Sequence, residues 1–317
     1  MTKPPAHLDP RLTEQRNPAT ADIDVADAVR IVDLLHAEDE RAVRAVRAVR
    51  AEVARAIEMV ERAFRTGGHL YYVGAGTSGR LGVLDASECP PTFGTDPTLV
   101  QGIIAGGQDA LVKSAEGAED DAGAGAAAVD AANAGKQDVV FGIAASGSTP
   151  YVLGALRRAR ERGATTIMLS CADPPADLVA QVDLAILAKP GPEALTGSTR
   201  LKAGTVTKLV LNAVTTGAMI RWGRAYGNLM VDLRTLSAKL HDRGERIVME
   251  VAGVSREEAR RAIASAGGFV KTAIVMLRRG VDRGTADTLL RDASGYLRTV
   301  IGDPPPVEGA SALPPPA

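Results

Sequence analysis

Two short glycine- and hydroxyl-rich stretches carry the residues best suited to chemistry on a small anion. The first, Gly74-Ala75-Gly76-Thr77-Ser78-Gly79-Arg80, follows the apolar run Leu70-Tyr71-Tyr72-Val73. The second, Ala145-Ser146-Gly147-Ser148-Thr149, follows the run from Val139 to Ala144. Each reads as a strand running into the start of a helix. A helix start offers backbone N–H groups without intrahelical partners and a partial positive charge, and Ser or Thr hydroxyls add donors. One such loop is explained by ordinary N-capping. Two, after the first and third strands of one sheet, favour a bound phosphate. A third turn, Thr196-Gly197-Ser198-Thr199-Arg200-Leu201-Lys202, places two cations near another helix start, where they can complete a phosphate cage. The candidate binding residues are therefore Gly76, Thr77, Ser78 and Gly79, then Ser146, Gly147, Ser148 and Thr149, and finally Lys202.

The first loop also satisfies G-x-G-x-x-G, the dinucleotide fingerprint. That fingerprint needs an acid at the end of the next strand to hold a ribose hydroxyl. Here the next strand ends Ile103-Ile104-Ala105-Gly106-Gly107, with no acid, so a phosphate fits better than a dinucleotide.

Two acidic segments follow the loops: Asp85-Ala86-Ser87-Glu88 and Glu116-Gly117-Ala118-Glu119-Asp120-Asp121. A carboxylate beside a bound sugar can act as general acid or base. Asp120 and Asp121 are explained as helix capping; for Glu88 and Glu119 a solvated surface carboxylate and a catalytic one both remain open on composition alone. Glu119 follows the second strand at the ligand edge. Glu88, on a straight helix from Gly79, lies roughly 14 Å from that helix start at about 1.5 Å per residue. Either Pro90-Pro91 turns the segment back, or Glu88 serves a neighbouring subunit. The four histidines, His7, His36, His69 and His241, are scattered, which argues against a catalytic triad or a histidine-rich metal site.

These residues need a scaffold. Apolar runs at 70–73, 99–105, 139–144, 165–169 and 184–187 alternate with longer helical or loop segments, which predicts one doubly wound α/β domain with a five-stranded parallel sheet. Such sheets bind ligands at the C-terminal strand edges. Ahead of the sheet, Val43, Val46, Val49, Val53, Ile57, Val60 and Phe64 recur every three or four residues, the stripe of a helix from Asp39 to Phe64. The expected organisation is an arm over 1–20, a helical segment over 21–66, the sheet domain over 67–228, a helical region over 229–301 and a disordered Pro-rich tail over 302–317. Helices are expected from Pro190 to about Gly227 and over 229–252, 255–264, 270–279 and 285–301.

Composition narrows the partners. Of 317 residues, 37 are Lys or Arg and 38 Asp or Glu, so the chain is not basic overall and no nucleic-acid partner is expected. Aromatics are only 3%, too few for a base-stacking platform. No apolar run approaches the roughly 18 residues of a membrane span. The first residues lack the apolar core of a signal peptide, and two cysteines without a CxxC pair give no zinc or disulfide framework. The expectation is a cytoplasmic protein without metal.

The order of these motifs resembles one family. Tyr72-Val73-Gly74-Ala75-Gly76-Thr77-Ser78-Gly79-Arg80-Leu81-Gly82, running into Asp85-Ala86-Ser87-Glu88-Cys89-Pro90-Pro91-Thr92-Phe93-Gly94, is similar to the N-acetylmuramic acid 6-phosphate etherases of the sugar isomerase (SIS) fold. The resemblance extends over about residues 12 to 301. It takes in Thr13-Glu14-Gln15-Arg16-Asn17-Pro18, Glu116 to Asp120, Gly142 to Gly147, Thr196 to Gly204 and Tyr226-Gly227-Asn228-Leu229-Met230-Val231-Asp232. It implies a three-layer αβα SIS domain with added N-terminal helices and a small C-terminal helical bundle. It implies cleavage of the lactyl ether of N-acetylmuramic acid 6-phosphate by elimination and water addition, without cofactor, in cell-wall recycling. It puts the two catalytic glutamates at Glu88, the acid, and Glu119, the base at carbon 2. It further implies a homodimer with sites near the interface. The family usually has arginine where this chain has Ser148, and asparagine is common where it has Ser237. A sugar-phosphate isomerase and a non-catalytic sugar-phosphate sensor are the alternatives; a second acid at Glu88 and the lack of a clear helix-turn-helix in the first 66 residues separate them from the etherase.

Overall fold

The computed structural model describes residues 11–113, 115–234 and 237–307. Half of the expected N-terminal arm, residues 1–10, and most of the expected tail, residues 308–317, lie outside the described residues.

The apolar runs form the five expected strands: β1 (Leu70–Gly74), β2 (Val100–Ile104), β3 (Val139–Ile143), β4 (Thr165–Ser170) and β5 (Leu184–Leu187). All pair in parallel, in the order β2-β1-β3-β4-β5. Alternate side chains leave opposite faces of a strand. Tyr71, Val73, Val140 and Met168 therefore join one apolar layer with Val152, Ala155 and Leu156 of helix α5 (Pro150–Glu161) and Val129 of helix α4 (Ala122–Ala131). Tyr72 and Phe141 occupy the other face, edge to face with ring centroids 5.5 Å apart. The layers are helix, sheet, helix, as an αβα SIS architecture requires. A short helix α6 (Ala176–Val179) lies between β4 and β5 in sequence, and the long helix α7 (Lys202–Arg221) follows β5.

Ahead of the sheet the chain makes two helices, α1 (Ala28–Ala48) and α2 (Arg50–Arg65), not one. The ladder breaks at Val49, whose φ of −105° and ψ of 25° are not helical. The apolar stripe holds in α2, where Val53, Val60 and Phe64 are buried. In α1 the buried face is Glu38, Ala42 and Ala45, while Val43 is 54% exposed. Small residues let this face of α1 pack closely, while Val29, Val32 and Val43 lie on its exposed side. Residues 11–20 also depart from expectation. Thr13, Asn17 and Thr20 are buried, so this stretch is fastened to the fold.

The described residues divide into two compact units, one within 11–89 and 96–218, the other within 90–95 and 219–307. The expected boundary at 228/229 lies ten residues further on, because Tyr226 is already a core residue of the second unit. That unit contains α8 (Ala238–Ala252), α9 (Arg256–Ser265), α10 (Val270–Arg279), α11 (Arg283–Asp292) and α12 (Leu297–Ile301). Val231, Leu233, Val248, Ile263, Ile274 and Leu297 fill its core. The expected helix over 229–252 begins only at Ala238, capped by the Ser237 hydroxyl. The expected helix over 285–301 is interrupted where Ser294 takes φ +52° and Gly295 φ +83°.

Candidate functional site

The strand order reverses direction between β1 and β3, and such a switch point opens a crevice at the C-terminal strand ends. Gly74 of β1 stands beside Ile143 of β3. Helix α3 (Gly76–Phe93) begins two residues after the first strand, and α5 begins seven residues after the third. The two hydroxyl loops thus follow the C-terminal ends of neighbouring strands, at one edge of the sheet.

Both loops depend on a glycine. A Cβ on Gly79 would lie 2.6 Å from Ile104 and 2.7 Å from the Gly74 carbonyl oxygen, so only glycine lets α3 pack this tightly on the sheet. Gly147 adopts φ +76°, and a Cβ there would lie 2.9 Å from both Pro174 backbone and Ser170 Oγ. Around it, Ser146 Oγ accepts from the Ser148 amide at 3.3 Å and lies 3.3 Å from Ser148 Oγ. Thr149 occupies the N-cap of α5 with extended backbone, yet its hydroxyl makes no capping bond. Its hydroxyl is therefore uncommitted to the helix.

Glu119 lies on a single 3-10 turn, Ala118–Asp120, after the left-handed Gly117. It opens onto a cavity of about 240 Å³ that also reaches Gly76, Arg80, Ala105, Ala110 and Glu116. The start of α3 and the acidic loop therefore share one space. Arg80 sits in the first turn and a half of α3 and donates from Nε to the Leu111 carbonyl at 3.0 Å. A second cleft, about 360 Å³, is lined by Thr77, Arg200, Thr205 and Lys208.

Lys202 requires a correction. Its side chain is 1% exposed, and its ammonium is paired with Glu38 and donates to the Pro190 carbonyl at 3.3 Å. Asn17 donates to the same Glu38 carboxylate at 2.7 Å and to the Pro192 carbonyl at 3.1 Å. A charge buried this deeply needs a partner, so Lys202 is committed to fastening residues 13–20 and 190–202 and has no ammonium left for a phosphate. Glu193 caps the same helix, accepting from the amides of Lys202 and Ala203 at 2.9 Å each; burial raises its carboxyl above the ordinary value despite those bonds. The cation that does line a cleft with Arg200 is Lys208, two turns into α7. Its spacing from Gly204, one helical turn, is the signal in the sequence.

Glu88 is exposed, on the same face of α3 as Leu84, which is 43% exposed. Pro90 and Pro91 lie inside α3 and do not turn it back. The first of the two expected explanations for Glu88 therefore fails: it stays roughly 18 Å along the axis from Gly76 at about 1.5 Å per residue. Beneath it the helix is anchored to β1. The Tyr72 hydroxyl donates to Asp85 at 3.0 Å, and both are buried. Burial raises the Asp85 carboxyl, and it raises the Cys89 thiol to about 12, which makes that thiol a poor nucleophile. Among the described residues, no group of three or more His, Cys, Asp or Glu side chains gathers to hold a metal ion.

Comparison with known proteins bears on the whole chain. The profile of the glucokinase regulatory protein N-terminal SIS domain matches residues 52–160. An N-acetylmuramic acid 6-phosphate etherase of Photorhabdus laumondii subsp. laumondii is 47% identical over 295 residues, covering 93% of this chain and 98% of its own. That of Serratia proteamaculans is 48% identical over 295 residues, covering 93% and 99%. A solved E. coli CFT073 protein in complex with A5P is 21% identical, covering 62% of this chain and 93% of its own, with a TM-score of 0.44.

Proposed function

Because the chain belongs to the N-acetylmuramic acid 6-phosphate etherase family, we propose that it cleaves the ether joining D-lactate to carbon 3 of N-acetylmuramic acid 6-phosphate, releasing D-lactate and N-acetylglucosamine 6-phosphate. One observation carries the placement of the chemistry: Glu119 opens onto the cavity that begins at the N-terminus of α3.

The sugar reacts in its open-chain form. The carbon-1 aldehyde acidifies the proton on carbon 2, and Glu119 removes it. The electron pair forms the carbon 2–carbon 3 double bond as the carbon 3–oxygen bond breaks. The departing lactyl oxygen takes a proton from Glu88, so lactate leaves as an alcohol. Water then adds to carbon 3, giving its proton back to the Glu88 carboxylate, and carbon 2 regains a proton from Glu119. No electrons are exchanged with a cofactor. The phosphate takes the donors of Thr77, Ser78, Ser146 and Thr149 and the N-termini of α3 and α5. Arg200 and Lys208 keep positive charge near this edge although residue 148 is serine.

We assign Glu88 to the site of a second copy of the chain. Its distance from the start of its own helix and its exposure beside exposed Leu84 support a homodimer in which α3 lies at the interface. The cytoplasm suits this enzyme, since Cys89 and Cys171 are free and buried.

D-lactate release from N-acetylmuramic acid 6-phosphate, assayed without added metal, tests the reading. Release that is lost in Glu119→Gln is the expected result. Tight binding of the sugar phosphate without release by the native protein would overturn it in favour of a sensor.

A further inference from the structure

The muramyl substrate of the reaction proposed above carries two anions, and the hydroxyl loops account for only one. The phosphate is at carbon 6, while the carboxylate belongs to the lactyl group on carbon 3, next to the carbon that Glu119 deprotonates. That carboxylate must therefore lie in or beside the cavity that holds Glu119. Glu116 and Glu119 already line it, and a third carboxylate among them would be repelled unless a cation answers it.

Arg80 is the cation lining that cavity. Its Nε is committed to the Leu111 carbonyl, which fixes the plane of the guanidinium and leaves the two terminal nitrogens as a fork. Among the described residues no acid pairs with that fork. A planar fork matches a carboxylate with two parallel hydrogen bonds, and its anchoring removes much of the ordering cost of binding. The remaining wall is largely methyl groups, Ala105, Ala110 and Ala118 among them, a surface suited to the methyl of lactate.

We propose that Arg80 binds the carboxylate of the lactyl group and so selects 3-O-lactyl sugar phosphates over sugar phosphates that lack it. The proposal rests on the reaction given above and adds the residue that recognises the leaving group. Arg80 takes no part in proton transfer.

The experiment measures binding of D-lactate and, separately, of N-acetylglucosamine 6-phosphate to the native protein, Arg80→Gln and Arg80→Lys. Arg80→Gln should weaken D-lactate by about tenfold or more and the sugar phosphate by less than about threefold, as expected for loss of one charge-assisted pair. Arg80→Lys should recover only part of the difference, because lysine keeps the charge and loses the fork. Equal weakening of both ligands would mean that Arg80 only holds the Leu111 loop, and would overturn the proposal. Weakening of the sugar phosphate alone would make Arg80 a phosphate ligand, with the same consequence. Unchanged lactate binding in Arg80→Gln would also overturn it, even if the native protein releases lactate from the ether. Native protein that binds lactate through Arg80 yet never cleaves the ether would instead sink the reaction and leave the assignment standing.

Discussion

Glu119 and Asp85 show how differently two carboxylates can be used within one unit. Glu119 is exposed on a one-turn helix, free to meet a substrate. Replacing it by glutamine keeps its shape and removes its basicity. Carbon-2 hydrogen exchange with solvent and lactate release should then fall by about 10² to 10⁴, the usual worth of a positioned base. Isotope wash-in by NMR reads this directly, and exchange that persists would take the base role from Glu119. Asp85 is buried, and burial outweighs its hydrogen bonding with Thr215 and Tyr72 and the nearby Lys208, so its carboxyl holds a proton more tightly folded than unfolded. Its contribution to stability is therefore largest at low pH and declines as pH rises through the folded-state value. Asp85→Asn should flatten that decline. Thermal unfolding across about pH 4 to 7, the range above the ordinary carboxylate value, makes the comparison; an unchanged slope would count against it. At this scale the glycines and hydroxyls could be read from the sequence because their partners are local. Lys202 could not. Its partner Glu38 is 164 residues away, and nothing in its own turn distinguishes a buried ion pair from a ligand-facing cation.

The elements follow their local patterns where those patterns are unambiguous. All five strands stand where apolar runs between turn signals put them, because buried parallel strands leave an unbroken apolar signature. Helices are less regular. The stripe over 43–64 reads as one helix, but periodicity carries no record of a single non-helical residue such as Val49, nor of a face built from alanine. In the same way, Pro90 and Pro91 read as a break but lie within α3. The join between the stretch at 13–20 and the start of α7 is likewise invisible locally, and it bears a measurable load. Lys202→Met should destabilise the fold by about 3 kcal/mol, since it leaves the buried Glu38 carboxylate without its ammonium partner. Denaturant unfolding provides the number. The double variant Glu38→Met with Lys202→Met should cost clearly less than the sum of the two single changes; strict additivity would refute the coupling.

At the scale of the whole molecule, the sequence indicated an α/β unit followed by a helical one. The irregular stretch after α7 contributes Tyr226, Val231 and Leu233 to the second core, so the compact units part ten residues before the expected boundary at 228/229. Sequence alone left two explanations open for Glu88, and the continuous α3 removes the one in which Pro90-Pro91 turn the segment back. The proposed sharing of sites between subunits has a direct consequence. Glu88→Gln and Glu119→Gln should each be inactive alone. Mixed and allowed to exchange subunits, they should recover about a quarter of native activity, since half the dimers are mixed and each holds one intact site. No recovery, despite verified subunit exchange, would place Glu88 outside the neighbouring site.

The buried fastening of the N-terminal stretch also sets a schedule for the protein's making. Glu38 leaves the ribosome 164 residues before Lys202, and Asn17 leaves it 175 residues before Pro192. At translation rates of roughly 5 to 20 residues per second, that is a wait of roughly ten to thirty seconds. Throughout it, Asn17 and Glu38 have hydrated polar groups and no place to bury them. The start of the chain must remain uncommitted while the sheet is synthesised, and is locked only when the segment leading into α7 emerges.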